Sequence, residues 1–233
     1  MSTLPNRQFL KLQRRLHEHF GSLHWWPADS PFEVAVGAIL TQNTTWIQVE
    51  KAIANLKQAD ALSAEKLAAL TVHQLEEMIR PSGFYHQKAA RLQNFATHLV
   101  ESWQGNLVDF CGGPLDDARC RLLALVGIGP ETADSILLYA AERPSFVIDA
   151  YTRRIFERIG LLNGQEKYGE IRQRFMQNLP EDAKLYNEYH AQIVQLAKTC
   201  CRKRKTLCTD CPLNRECLYA KHQLGGTTRV TPD

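Results

Sequence analysis

Residues 122–140, "LLALVGIGPETADSILLYA", constrain the fold more tightly than any other stretch of the chain. Apolar residues recur at helical spacing on both sides of Gly127-Ile128-Gly129-Pro130, so the segment reads as helix, tight turn, helix. Gly127 and Gly129 open backbone angles closed to other residues and let a ligand come near the main chain. Pro130 suits the first turn of the second helix. Glu131 adds a carboxylate there, where the helix dipole favours one. Ala133, Ile136, Leu137 and Ala140 continue as one apolar stripe. The turn alone allows two readings. It is an ordinary helical hairpin with glycines needed only for the bend, or its free N–H groups grip an anion such as a DNA phosphate without reading bases.

Helical signals run through the rest of the chain. Ser30 is a candidate N-cap, with Pro31 at the first helical position and Glu33 three residues after the cap. Thr71 and Gln74 form a second capping box. Tyr151, Ile155 and Ile159 make a further stripe, preceded by Asp149 as a helix cap. The best strand candidate, "PSFVIDA" at 144–150, is short. The expected fold is therefore all-α, with eight or more helices joined by short Gly/Pro connections. A length of 233 residues suits one large domain or two small lobes.

Net charge is only +3, too small by itself to argue for a polyanionic partner. Its distribution is uneven: "KTCCRKRK" (198–205) holds five basic residues and "YTRRIFER" (151–158) three more. These are solvated helix faces or phosphate contacts. No apolar run approaches the roughly 20 residues that span a bilayer, and the first twenty residues lack the apolar core of a secretory signal. The expected setting is the cytoplasm, at the nucleoid if the chain is bacterial, with no membrane partner.

Of seven cysteines, Cys111 and Cys120 stand apart and read as small buried hydrophobes, while five crowd into residues 200–217. That crowding argues for metal or cluster ligation rather than a disulfide framework. Cys201, Cys208, Cys211 and Cys217 are separated by six, two and five residues. Four neighbouring thiolates suit a 4Fe–4S cluster or a tetrahedral zinc ion, and Cys200 falls outside the pattern as a spare thiol.

"LVGIGPETAD" resembles the helix-hairpin-helix motif of the endonuclease III superfamily of DNA glycosylases. The similarity extends over about 200 residues in the correct order, through "SPFEVAVGAILTQNTTW", "MIRPSGFYHQKAARL" and "AAERPSFVIDAYTRR". The six-two-five cysteine pattern is similar to that superfamily's 4Fe–4S motif. What the resemblance implies is a two-lobed fold. A six-helix bundle over 25–141 would contain the hairpin at about 118–140, and residues 1–24 plus 142–221 would carry the cluster. A flexible tail at 222–233 and a cleft containing Asp149 complete the expectation. The implied partner is double-stranded DNA with a damaged base, acted on by a monomer. Asp149 corresponds to the catalytic aspartate, whose carboxylate opposes the positive charge that builds on the sugar and orients or deprotonates a water.

One position departs from the strand-cutting pattern. Members with lyase activity carry a lysine that forms a Schiff base with the sugar, in Gly-x-Gly-x-Lys-Thr-Ala. Here the lysine position is Glu131, followed by Thr132, so the implied chemistry is hydrolysis alone; the alternatives are a glycosylase and lyase on oxidised pyrimidines that uses another amine, or a non-catalytic binder of damaged DNA, and Glu131 could also shape the base pocket. Trp25-Trp26-Pro27 with Thr41-Gln42-Asn43-Thr44-Thr45-Trp46 resembles the 3-methyladenine glycosylase branch. That likeness makes Trp46 the stacking surface for a flipped base, with Trp25 and Trp26 as further pocket walls, or else all three as core. An electron-rich indole suits a cationic alkylated purine. Gln42 would probe the partner base, and Phe84, or its neighbour Tyr85, would wedge the duplex. Lys88, Gly127, Gly129, Thr132, Arg202 and Lys203 complete the expected DNA contacts.

Overall fold

The computed structural model describes residues 7–26 and 28–225. Among them no β-strand occurs, and no helix is long and apolar enough to cross a membrane. The strand candidate at 144–150 forms no strand: residues 144–149 lie outside any helix or strand, and Ala150 opens the next helix. The chain divides into two compact units, residues 26–145 and residues 1–25 with 146–233.

Within unit 26–145, α2 (Pro31–Leu40) starts as its sequence dictates. Ser30 Oγ accepts the Glu33 N–H at 3.2 Å, and proline fills the first turn. Every residue from Glu33 to Leu40 is buried, so α2 is the unit's central helix. Next come α3 (Trp46–Gln58), which packs on α2, and then α4 (Ala64–Ala69) and α5 (Val72–Ile79), the last begun by the Thr71–Gln74 capping box. A 3₁₀ turn (Arg80–Ser82) leads into α6 (Tyr85–Trp103), whose cap residue Phe84 is left-handed at φ 49°. The short α7 (Leu107–Phe110) precedes the hairpin of α8 (Leu115–Leu123) and α9 (Pro130–Ser135). The last helix then widens into a π turn over Ile136–Ala140.

A buried ion pair locks the hairpin. Arg119 of α8 donates to both carboxylate oxygens of Asp134 at 2.8 and 3.1 Å, and Asp134 is fully buried. The Ser145 hydroxyl donates to the same carboxylate. A bidentate pair of this kind fixes orientation as well as distance.

The other unit contains α1 (Arg7–Phe20), α10 (Ala150–Ile159), α11 (Tyr168–Asn178), α12 (Ala183–Thr199) and α13 (Leu218–Gly225). Its core is aromatic. Phe9, Phe146, Phe156, Phe175 and Tyr189 form a connected chain of stacked, tilted and edge-on rings, with neighbouring centroids 4.2 to 6.4 Å apart. The buried Tyr189 hydroxyl satisfies itself on the Phe9 carbonyl at 3.1 Å. The tail expected at 222–233 is corrected in part: α13 continues to Gly225, and the remainder lies outside the described residues.

Candidate active site

Asp149 sits at the start of α10 and uses its two oxygens differently. Oδ1 accepts the Thr152 N–H at 2.7 Å, capping the helix, while Oδ2 lies 3.6 Å from Nε2 of His190 on α12. The carboxylate is 14% exposed and His190 is buried. Burial pushes the Asp149 carboxyl up, but the His190 charge, its hydrogen bond and the bonds to Thr152 outweigh that and hold it below the usual carboxylate value. The group is thus a carboxylate at neutral pH with one oxygen turned away from the helix it caps. Sequence reasoning missed His190, because a lone histidine forty-one residues away, in a helical run, carries no local signal.

In unit 26–145, Trp26 and Trp46 meet edge to face with ring centroids 5.1 Å apart, and Trp26 also leans on Tyr139 at 5.0 Å. Trp26 has φ 112°, a strained conformation for an aromatic residue that its ring contacts hold in place. Gly37 of α2 makes this possible, since a Cβ there would lie 3.3 Å from the Trp26 ring. The two indoles border a pocket of about 200 Å³ also lined by Glu33, Gly37, Glu50 and Lys57. Glu50 accepts the Trp46 indole N–H at 2.8 Å, fixing that ring. Glu33 is buried and paired with Lys57 at 2.7 Å. Trp25 belongs to the other unit, where the Lys198 ammonium lies 5.1 Å over its ring.

The hairpin turn treats its two glycines unequally. Gly127 has φ 86°, and a Cβ there would run into Arg91 at 2.4 Å. Gly129 has φ −87°, open to any residue, with nothing within 4 Å of a Cβ. The expectation that both glycines are needed for the bend is therefore corrected: only Gly127 is. Beside them Val126 is 79% exposed, and Glu131 is exposed in the first turn of α9.

Gln42, just beyond α2, is held by the hairpin. Its amide donates to Gly127 O at 3.1 Å and Thr132 Oγ1 at 2.9 Å, and its oxygen accepts from Arg91. Phe84 is 64% exposed, whereas Tyr85 is half-buried with Arg80 5.5 Å over its ring, which separates the two wedge candidates in favour of Phe84. Two expected DNA contacts are corrected. Thr132 is buried and serves Gln42. Lys88 is 1% exposed, its ammonium donating to Leu40 O at 2.8 Å and Ser82 O at 2.7 Å, so it has no surface to offer a phosphate.

The cysteine loop follows α12. Arg202, Lys203, Arg204 and Lys205 are exposed along it. The basic residues of α10 are half-buried and engaged by backbone carbonyls. Arg153 donates to Glu166 O, Arg154 to Cys201 O, and Arg158 to the carbonyls of Arg202 and Lys203, tying the loop to the unit. Arg158 also donates to Cys201 Sγ at 3.1 Å, and the Ala220 N–H to Cys217 Sγ at 3.5 Å. Cys211 is pushed up to about 12 by burial, reinforced by the neighbouring Cys200, Cys201 and Cys217 thiols. Among the described residues no three His, Cys, Asp or Glu side chains converge on a single ion position. Cys111 is buried as expected, but Cys120 is exposed, which corrects its reading as a buried hydrophobe.

Residues 36–181 match the HhH-GPD superfamily of base excision DNA repair proteins. The chain belongs to that superfamily. A Methanocaldococcus jannaschii protein provisionally named a DNA repair glycosylase is 49% identical over 210 residues, 89% of this chain and 94% of that one. The solved 3-methyladenine DNA glycosylase (MagIII) of H. pylori, bound to 1,N6-ethenoadenine, is 31% identical with a TM-score of 0.71, covering 84% of this chain and 98% of that one. An endonuclease III bound non-covalently to DNA shares the fold at a TM-score of 0.80, with 22% identity and coverage of 96% and 100%. The chain is accordingly a DNA glycosylase of the HhH-GPD fold.

Proposed function

We propose that this HhH-GPD protein is a monofunctional glycosylase that binds duplex DNA, flips out an alkylated base and hydrolyses its N-glycosidic bond. The observation that carries the reading is Glu131. At the hairpin position where a lyase presents an amine, this chain presents a carboxylate, which forms no Schiff base. Catalysis then rests on Asp149. As the glycosidic bond stretches, positive charge grows on the sugar, and a fixed carboxylate with one uncapped oxygen opposes that charge and orients the attacking water. His190 keeps the carboxylate ionised.

The base preference follows from the indoles. Trp46, held by Glu50 and edge-on to Trp26, offers a π face to a cationic purine, and Glu50 beside it favours positive charge, Glu33 being paired with Lys57. An alkylated purine already carries the charge that makes it a good leaving group, so little acid catalysis is required. The 31% identity to a 3-methyladenine glycosylase supports the same preference. Phe84 fills the space that the base vacates and Gln42 meets the orphaned partner, leaving the hairpin for this purpose. Gly127 and Gly129, with Arg202 and Lys203, hold phosphate.

Cys201, Cys208, Cys211 and Cys217 are the residues that would hold a 4Fe–4S cluster. The reading rests on the chemistry of the donor set, four thiols within one short loop, and on N–H groups aimed at the sulfurs of Cys201 and Cys217. Its contribution would be structural, clamping the basic loop. Purified protein should be yellow-brown and lose that colour in Cys208→Ser but not in Cys200→Ser; colourless protein with stoichiometric zinc contradicts the cluster. Function is tested by incubating the protein with duplexes carrying alkylated, oxidised or deaminated bases. Release of alkylated purines above all others is the expected result, and preference for oxidised pyrimidines would overturn the reading.

A further inference from the structure

Lys88 is fully buried yet carries an ammonium group, and its two acceptors are not random carbonyls. Leu40 O ends α2, and the next two residues are Thr41 and Gln42. Ser82 O ends the 3₁₀ turn, and the next two are Gly83 and Phe84, both left-handed at φ 66° and 49°. One cation therefore fixes the chain immediately ahead of both segments that carry the proposed duplex-probing side chains. Lys88 and Arg91, three residues apart, share one face of α6, and Phe84 caps the helix one turn ahead of Lys88. Arg91 extends the same connection by donating to the Gln42 side chain. Burying a charge to satisfy packing alone is a poor solution, because an apolar side chain of similar volume is often equal or better. A buried ammonium with two short, directional bonds is suited to fixing geometry.

We propose that Lys88 is a positioning residue that holds the Gln42 segment and the Phe84 wedge in register, so that probe and wedge enter the duplex as one unit. The inference rests on the base-flipping reading given above. It differs from a purely structural role in what it couples. If Lys88 merely satisfied two helix-end carbonyls, its loss would weaken the fold without favouring one kind of DNA substrate over another.

The test uses Lys88→Met, which keeps length and removes every donor, in the full-length protein. Backbone hydrogen exchange without DNA is measured first. Exchange at residues 41–43 and 83–85 should rise together, by about tenfold or more, while the π turn at 136–140 is unchanged. Acceleration of one segment only, or uniform acceleration everywhere, overturns the clamp. Single-turnover base release is then compared for one lesion placed opposite its partner base and opposite a gap. The expected loss is about tenfold or more for the paired lesion and about threefold or less opposite the gap, since flipping is then already easy. In a Phe84→Ala background, Lys88→Met should add about twofold or less, because the wedge it positions is gone. Equal losses on both substrates, or full additivity with Phe84→Ala, refute a positioning role. If Lys88→Met does not fold, Lys88→Gln, which retains a shorter amide donor, is read by the same measurements with the same signs. Should wild type release no base from any duplex, the functional reading fails, and the exchange result still decides whether the two segments are clamped together.

Discussion

Asparagine at position 149 separates the two jobs of the carboxylate. Oδ1 caps α10 on the Thr152 N–H at 2.7 Å, and asparagine keeps an oxygen there. Asparagine and aspartate are comparable N-caps, whereas alanine costs about 1 kcal/mol. Asp149→Asn should therefore keep the cap and lose only the stability that the charge contributes, and Asp149→Ala should lose the cap as well and lower Tm by about 2–4 °C more. The charge is the other job. A carboxylate about 4 Å from a developing cation, at an effective dielectric of about 20, is worth about 4 kcal/mol. That converts to roughly a thousandfold in rate. Single-turnover base release should fall by about that factor in both variants, with duplex affinity retained. Asp149→Asn that keeps its rate within about tenfold of wild type would show that the charge is not what lowers the barrier.

Four further outcomes are expected. His190→Gln leaves burial as the dominant influence on Asp149 and so raises its carboxyl pKa, moving the acid limb of the pH–rate profile to higher pH; an unchanged limb would show that His190 does not act on Asp149. The depressed carboxyl also contributes stability above its unfolded value of 3.8 that is lost as pH falls through the folded value, so His190→Gln should flatten that acid dependence of Tm. Gly127→Ala should cost at least about 1–2 kcal/mol for its left-handed backbone, while Gly129→Ala should fold within about 0.5 kcal/mol of wild type, so any loss of DNA affinity it causes reports close approach of phosphate. Trp46→Ala should reduce excision by an amount equivalent to about 1–3 kcal/mol while sparing binding to undamaged duplex; equal losses would make Trp46 a packing residue.

The helix starts were legible because capping chemistry is local. Ser30 and Thr71 begin helices with the bonds their spacing specifies, and Asp149 caps α10 while presenting its second oxygen. The hairpin was legible from Gly127 and Pro130, although the neighbours of Gly129 did not reveal its ordinary backbone. What escaped the sequence is made by residues far apart in it. Arg119 and Asp134 meet across the hairpin, His190 reaches Asp149 from another helix, and Arg154 and Arg158 turn from apparent surface charges into ties for the cysteine loop. Lys88 was read as a surface cation because a buried lysine needs carbonyl acceptors that only folding supplies. The run "PSFVIDA" had strand-like composition, but no neighbouring segment offers it a ladder.

The central claim is base release without strand cleavage, and the most direct measurement is borohydride trapping during turnover on a duplex containing an alkylated purine, followed by gel analysis with and without hot alkali. With Glu131 at the amine position, the account predicts intact abasic strands that break only in alkali, and almost no covalent enzyme–DNA complex. Efficient trapping by the wild-type protein, with strands cut before alkali is added, would contradict it.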